Sequence, residues 1–586
     1  MFEKTASSIA RGLTSFVRRF LARAYRPQIQ APLVLAVGLF LVNAPLILLP
    51  NSLFWDDWTF FTGESFVPIA HELGRPWTGS ALDLLARSGP YAFKIVSYVA
   101  IYLGGLCIVG ILLQWPGLRP AEATVGGLVY IVAPVAFSRV TASILTFQIS
   151  TTIFLIAWLL WVVSASTRRH NELWLRAVSY CLFFFSMITT GSLLVFFALP
   201  AAHVYLLVRS NGQKRLGQSL VAVFKREWGF LVLPVVAFFV TSSFFVPYGD
   251  YSGYNHISLP TIESDNFLRL GGFLSVVLVA GIVLLLAPWT RVGIRIGLAA
   301  EIGTVVIVAL IFWEISDFRD RAYRVWQIRE LDELANLTFP AVLLAIGAIL
   351  VAAQSALARY RRNQVFPWSP RFKTSVASPI LFGVFGLALG MVPYLLVGKP
   401  PHPAAFADRL ELLLPVGIAF IVSGLAYVLR SFGPGFLPQL PIKILVMVMS
   451  LVTLFQYSLM AVDWSKQTLV IDSLVRNPGL SSSSTIVFQD ETRHLNWDNR
   501  GNPLYEITGW VYTAYGHKGI LGVSHETYAS YLQRGILEDT TVQARSGFAP
   551  WSPDGPVSTV VITSNSPRLS LLFGEGEINL DLTVLR

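Results

Sequence analysis

The sequence predicts an all-α polytopic membrane protein that carries a C-terminal extracytoplasmic domain of α/β or mostly β type. Three observations predict it. Charged residues make up 13% of the 586 in the chain, about half the share of an average soluble domain. Apolar types make up 54%, and mean hydropathy is +0.60. Apolar runs of about 20 residues recur from Val34 to Val462, the length at which a helix crosses a hydrocarbon core of about 30 Å. After Asp463 these runs stop.

Residues 1–30 carry Lys4, Arg11, Arg18, Arg19, Arg23 and Arg26 against one acid, Glu3, with Ile9, Leu13, Phe16, Phe20 and Tyr25 at helical spacing. This is the pattern of a basic amphipathic helix lying on an anionic cytoplasmic leaflet. Residues 31–462 then hold about thirteen spans, at 31–50, 93–113, 122–138, 143–165, 177–190, 192–208, 228–247, 267–288, 296–313, 337–357, 378–397, 410–429 and 442–462. The positive-inside rule orients them. The clusters Arg168/Arg169/Arg176, Arg209/Lys214/Arg215/Lys225/Arg226, Arg291/Arg295 and Arg359/Arg361/Arg362/Arg371/Lys373 share the side of the N-terminus only if 177–208 crosses twice. Those two helices are short, tilted or re-entrant around Thr189-Thr190-Gly191-Ser192. The N-terminus is then cytoplasmic in a plasma (inner) membrane, and the loops 51–92, 248–266, 314–336 and 398–409 are extracytoplasmic, as is the tail 463–586.

In that topology the net charge of +10 is an orientation signal and a leaflet anchor; it is not a nucleic-acid surface. Cys107 and Cys181 fall in apolar runs and offer neither a disulfide framework nor metal-ligand spacing, so both read as small buried hydrophobes. The tail alternates turn signals (Asp498-Asn499-Arg500-Gly501-Asn502-Pro503 and Gly574-Glu575-Gly576) with strand-like runs. Those runs are Thr485–Phe488, Thr559–Thr563, Leu569–Phe573 and Ile578–Leu585.

The loop after the first span reads Asn51-Ser52-Leu53-Phe54-Trp55-Asp56-Asp57-Trp58. Adjacent carboxylates framed by tryptophans at a membrane boundary need a reason, because desolvating them is costly. They mark either a solvated loop start with an aromatic belt, or a general base or divalent-cation site where a lipid head group meets a polar acceptor. Trp55, Trp58 and Trp77 are the candidate acceptor- or lipid-contacting rings. The same loop continues Glu72-Leu73-Gly74-Arg75-Pro76-Trp77. Its turn fixes one arginine, which either grips a phosphate bidentately or pairs with Glu72 or Asp57.

A doubled acid in the first external loop, followed by a dozen or so helices, resembles the GT-C superfamily of polytopic glycosyltransferases. The WDDW…GRPW loop is similar in particular to bacterial transferases of the O-antigen glucosyltransferase kind, which carry a doubled Asp followed by Gly-Arg-Pro. The resemblance covers residues 31–462 and implies a polyprenyl-phosphate-linked sugar donor and a glycan or glycolipid acceptor outside the cytoplasm. It also implies that one acid of the pair, Asp56 slightly ahead of Asp57, takes the proton of the acceptor hydroxyl. Such families carry a basic residue late in the chain near the donor phosphate. Arg409, in Asp408-Arg409-Leu410-Glu411, matches that place, against the alternative of a snorkelling helix end.

A departing phosphate also needs fixed cations. In 314–336, Arg321 and Arg324 lie on an interfacial helix, where they either bind phosphate or pair with neighbouring acids. In 398–409, His402 lies close before a span and is a candidate acceptor contact. His256 is a lone loop histidine. No P-loop, HExxH, GxSxG or dinucleotide fingerprint occurs. The competing readings are a secondary transporter or lipid-linked glycan flippase, disfavoured because Lys94, Glu122, Arg139, Arg269 and Glu301 lie near span ends, and an assembly subunit whose tail docks partners.

Overall fold

The computed structural model describes residues 27–62, 66–135, 137–166, 172–212, 216–252, 370–396, 411–430, 436–516 and 519–534, and in the last stretch 555–564, 566, 570–571 and 576–583. Several helices open on proline at their first position, where the missing N–H costs nothing: Pro76–Ala86, Pro90–Leu113 and Pro120–Val132. The last of these stops one residue before Pro134, and a short 3-10 turn, Phe137–Val140, leads into the helix Leu145–Ser166.

Among the described residues, four helices are long and apolar enough to cross a membrane: Pro90–Leu113, Leu145–Ala165, Val223–Phe244 and Ile442–Val475. Six shorter apolar helices, Gln30–Asn43, Pro120–Val132, Leu173–Thr189, Ser192–Val208, Pro379–Tyr394 and Leu414–Tyr427, accompany them. These ten coincide with expected spans, and the expected spans 267–288, 296–313 and 337–357 lie outside the described residues. So does the amphipathic N-terminal stretch up to residue 26.

The helices pack around buried aromatics. Trp158 stacks on Phe420 at 5.8 Å, and Trp161 stacks on Phe230 at 4.5 Å. Their indole N–H groups, which a dry core must satisfy, donate to His203 Nδ1 at 3.2 Å and to Glu227 Oε2 at 2.9 Å. Helices Pro370–Leu396 and Leu414–Arg430 meet backbone to backbone, and a Cβ on Gly383 would stand 2.5 Å from the Gly417 carbonyl oxygen. Such small-residue contacts are what hold helices together where no hydrophobic drive exists between them. Cys107 is buried as expected, whereas Cys181 is on the exposed side of its helix.

Loops of one expected side meet at one end. Arg430 pairs with Glu122 at 2.7 Å and Arg176 with Glu227 at 2.6 Å. At the other end, Asp57 meets Ala142, Trp77 meets Thr189, and Tyr248 N–H donates to the Glu72 carbonyl. The helix Glu172–Thr189 ends there and a second begins at Ser192, so 172–212 doubles back at Thr190-Gly191.

The C-terminal region forms a four-stranded sheet in the order β2-β1-β3-β4, with β1 Thr485–Asp490, β2 Leu521–Ser524, β3 Val557–Thr563 and β4 Asn579–Thr583. β1 runs parallel to β2 and β3, and β4 is antiparallel to β3. The helix Leu504–Tyr515 crosses from β1 to β2, so the region is α/β. Three of the four expected strands are present; in the fourth expected run, Ser570 and Leu571 are helical. The boundary at residue 463 falls inside one continuous helix, Phe436–Val475, whose last turns enter the core beneath the sheet through Val470 and Leu474.

Candidate functional site

Trp55-Asp56-Asp57-Trp58 lies between the helical body and the C-terminal domain. Trp55 has φ 58°, a left-handed conformation that is costly for a bulky residue and that clusters at functional sites. The two carboxylates that follow it part company. Asp57 is 1% exposed. Its Oδ1 accepts the Ala142 and Ser143 N–H groups at 2.8 and 3.2 Å, and its Oδ2 accepts that of Phe54 at 3.3 Å. Burial pushes the Asp57 carboxyl above its ordinary value, against the charge of Lys94 and these three donors. Lys94 is itself buried and donates to the Val140 carbonyl. Asp57 therefore latches the loop that follows the first helix onto the turn 139–143.

Asp56 is half-buried and turns the other way, accepting a hydrogen bond from the Tyr505 hydroxyl of the C-terminal domain. Burial and the neighbouring Asp56 charge hold that hydroxyl well above its ordinary value, so it is a permanent donor. Arg500, whose guanidinium lies 5.6 Å from the Trp55 ring, is held by Glu506 and Asp463, with Nη2 2.9 Å from Glu506 Oε1 and 3.1 Å from Asp463 Oδ2.

The pair does not fit a divalent cation. Three N–H donors occupy the Asp57 oxygens, and Asp56 diverges toward a hydroxyl. Among the described residues no group of three or more His, Cys, Asp or Glu side chains is placed to hold a metal ion.

The tryptophans face protein. Trp58 is 2% exposed, its Nε1 donates to Gln467 Oε1 at 3.0 Å, and a Cβ on Gly509 would touch its ring at 2.7 Å. That packing corrects the expectation of a lipid or acceptor contact, because no face of the ring is free to make one. Trp77 is half-buried, donating to Thr189 Oγ1 at 3.1 Å with its ring edge-on to Phe245 at 4.9 Å. Arg75 precedes the helix Pro76–Ala86, with its guanidinium 5.4 Å from the Phe147 ring. Arg321, Arg324, His402, Arg409 and His256 lie outside the described residues.

Sequence reasoning missed Tyr505, Gln467 and Arg139. Arg139 is 4% exposed and lines a partly open cleft with Ile101, Tyr130, Gln148, Thr151, Leu412 and Pro415. The available signal was an arginine with no neighbouring acid at the end of an apolar run. Compared with protein-family models, with curated proteins and with solved structures, the chain finds no match in any of the three.

Proposed function

We propose that the chain is a membrane-embedded, inverting glycosyltransferase that moves a sugar from a polyprenyl-phosphate carrier to a hydroxyl of an extracytoplasmic glycan or glycolipid. In this reading about thirteen helices span the inner membrane, the N-terminus is cytoplasmic and the C-terminal domain lies outside. The observation that carries it is the division of labour in the acid pair: Asp57 is committed to backbone amides, while Asp56 is half-buried beside a backbone strained at Trp55. A carboxylate anchored by its neighbour and by the Tyr505 hydroxyl suits a general base.

Asp56 takes the proton of the acceptor hydroxyl as that oxygen bonds to the anomeric carbon. The bond from that carbon to the phosphate oxygen breaks, and its electron pair leaves with the polyprenyl phosphate. Arg75, at the N-terminus of the helix Pro76–Ala86 in the same loop, is the described candidate to meet the charge on the departing phosphate. Arg321, Arg324 and Arg409 are the sequence candidates for the same task.

The test is transfer from radiolabelled polyprenyl-phosphate sugars by purified protein. Asp56→Asn is expected to lose about 10²–10⁴-fold of the rate, the range of a general base, with unchanged expression. Full transfer by that variant would overturn the assignment.

A further inference from the structure

The turn that Asp57 grips carries a buried arginine with two unpaired donors among the described residues. Arg139 follows the helix Pro120–Val132 in the 3-10 turn Phe137–Val140 and is 4% exposed. Its Nε and Nη2 have no hydrogen-bond partner among the described residues. Those two donors form one edge of the guanidinium, the side-on fork that matches two oxygens of a phosphate. A buried arginine left in this state is costly unless an anion completes it.

The cleft that Arg139 lines supports the same reading. Of its other polar members, Gln148 is spent on Ser97, with Ser97 Oγ donating to Oε1 at 3.0 Å, and Thr151 donates to the Phe147 carbonyl at 2.9 Å. Ile101, Leu412 and Pro415 make an apolar wall, and the Tyr130 phenol completes the lining. Glu411, next to Leu412, is fully buried and has interactions of its own.

We infer that the Arg139 cleft is an anion-binding subsite for a phosphate group, with its apolar wall against the group's hydrocarbon carrier. The identity of that carrier rests on the glycosyl-transfer reading; the anion site itself does not. Asp57 links the two, since it bonds Ala142 and Ser143 only a few residues beyond Arg139.

Detergent-purified protein titrated with geranyl phosphate, inorganic phosphate and geraniol, and read by calorimetry, tests this directly. Geranyl phosphate is expected to bind and geraniol not to. Arg139→Gln should weaken geranyl phosphate at least about tenfold, Arg139→Lys less, as expected for a lost bidentate grip. Inorganic phosphate bound as tightly, with the same dependence on Arg139, supports the anion site and assigns it to free phosphate.

Equal binding of both phosphate probes by the native protein and Arg139→Gln overturns the inference. So does a fall of about 5 °C or more in the ligand-free melting temperature of Arg139→Gln, a size that marks lost structural support and would make Arg139 a structural residue. Sugar transfer by Asp56→Asn and geranyl phosphate binding by Arg139→Gln are read in separate assays, so a failure of the transfer reading and a failure of this site are separate results.

Discussion

Three backbone N–H groups, two of them buried and one part-buried, converge on Asp57, and their positions determine what each acid of the pair can do. Two of them come from a turn 85 and 86 residues further along the chain, so no local pattern could have announced them. The doublet was legible as unusual, because carboxylates between tryptophans at the end of an apolar run demand a purpose. Its division of roles was not legible, because that depends on which loop folds back over it. An orphaned buried donor costs about 1–3 kcal/mol, and Asp57→Ala leaves two, with a third that is part-buried. That variant is expected to melt well below the native protein and to lose transfer as a folding defect. Asp56→Asn keeps an oxygen for the Tyr505 hydroxyl and should stay within about 0.5 kcal/mol of native stability. Parallel melts by intrinsic fluorescence separate the two. If Asp57→Ala melted like the native protein, the latch would carry no load.

The helix Phe436–Val475 has 40 residues, roughly 60 Å at 1.5 Å per residue and about twice what a bilayer core needs. Hydropathy alone cuts it near Val462, because Asp463, Lys466 and Asp472 end the apolar run. The fold instead satisfies those charges from the C-terminal domain. Asp463 accepts from the Trp497 N–H at 2.9 Å and from Arg500, while Lys466 donates to Asp490 and Asn496. Apolar runs were legible one element at a time, and so were three strands. The four-residue β2 and the shared helix were not, since the first is too short for a period and the second changes environment midway. Gln467 is the joint between these parts. Its Oε1 accepts both Trp58 Nε1 at 3.0 Å and Trp510 Nε1 at 3.2 Å, tying the loop that follows the first helix to the domain. Gln467→Leu orphans two buried indole donors, at about 1–3 kcal/mol each. Faster cleavage of residues 51–92 in limited proteolysis is expected, and an unchanged cleavage pattern would mean that the loop is held without Gln467.

At the scale of the whole molecule, the end that carries the sheet is one interlocked unit: first loop, long helix and sheet share a buried core in which Leu53 and Trp58 pack with Val470, Leu474 and Trp510. The membrane part and the domain therefore respond together to a change in charge at their junction. Asp490 sits there, at the end of β1, with Lys466 Nζ 2.6 Å from its Oδ2. Burial pushes the Asp490 carboxyl up, but Lys466 and the hydrogen bonds from Lys466 and Thr492 outweigh it and hold the group below its ordinary value of 3.8. A carboxyl depressed by folding adds stability above its unfolded pKa and loses it as pH falls through the folded one. Asp490 thus contributes fully at neutral pH and gives way below about pH 4. Glu506 works with the opposite sign, since burial raises it despite Arg500; its share is greatest in acid and fades as pH rises through its raised value. The informative quantity is therefore the difference between native protein and Asp490→Asn. At pH 7 that variant leaves Lys466 with a lost charge partner, at a cost of about 3–5 kcal/mol, and the gap should close as pH falls toward 3. The buried Trp497 and Trp510 report the loss by fluorescence. A gap that held constant from pH 7 to pH 3 would show that the Lys466–Asp490 pair does not couple helix to sheet.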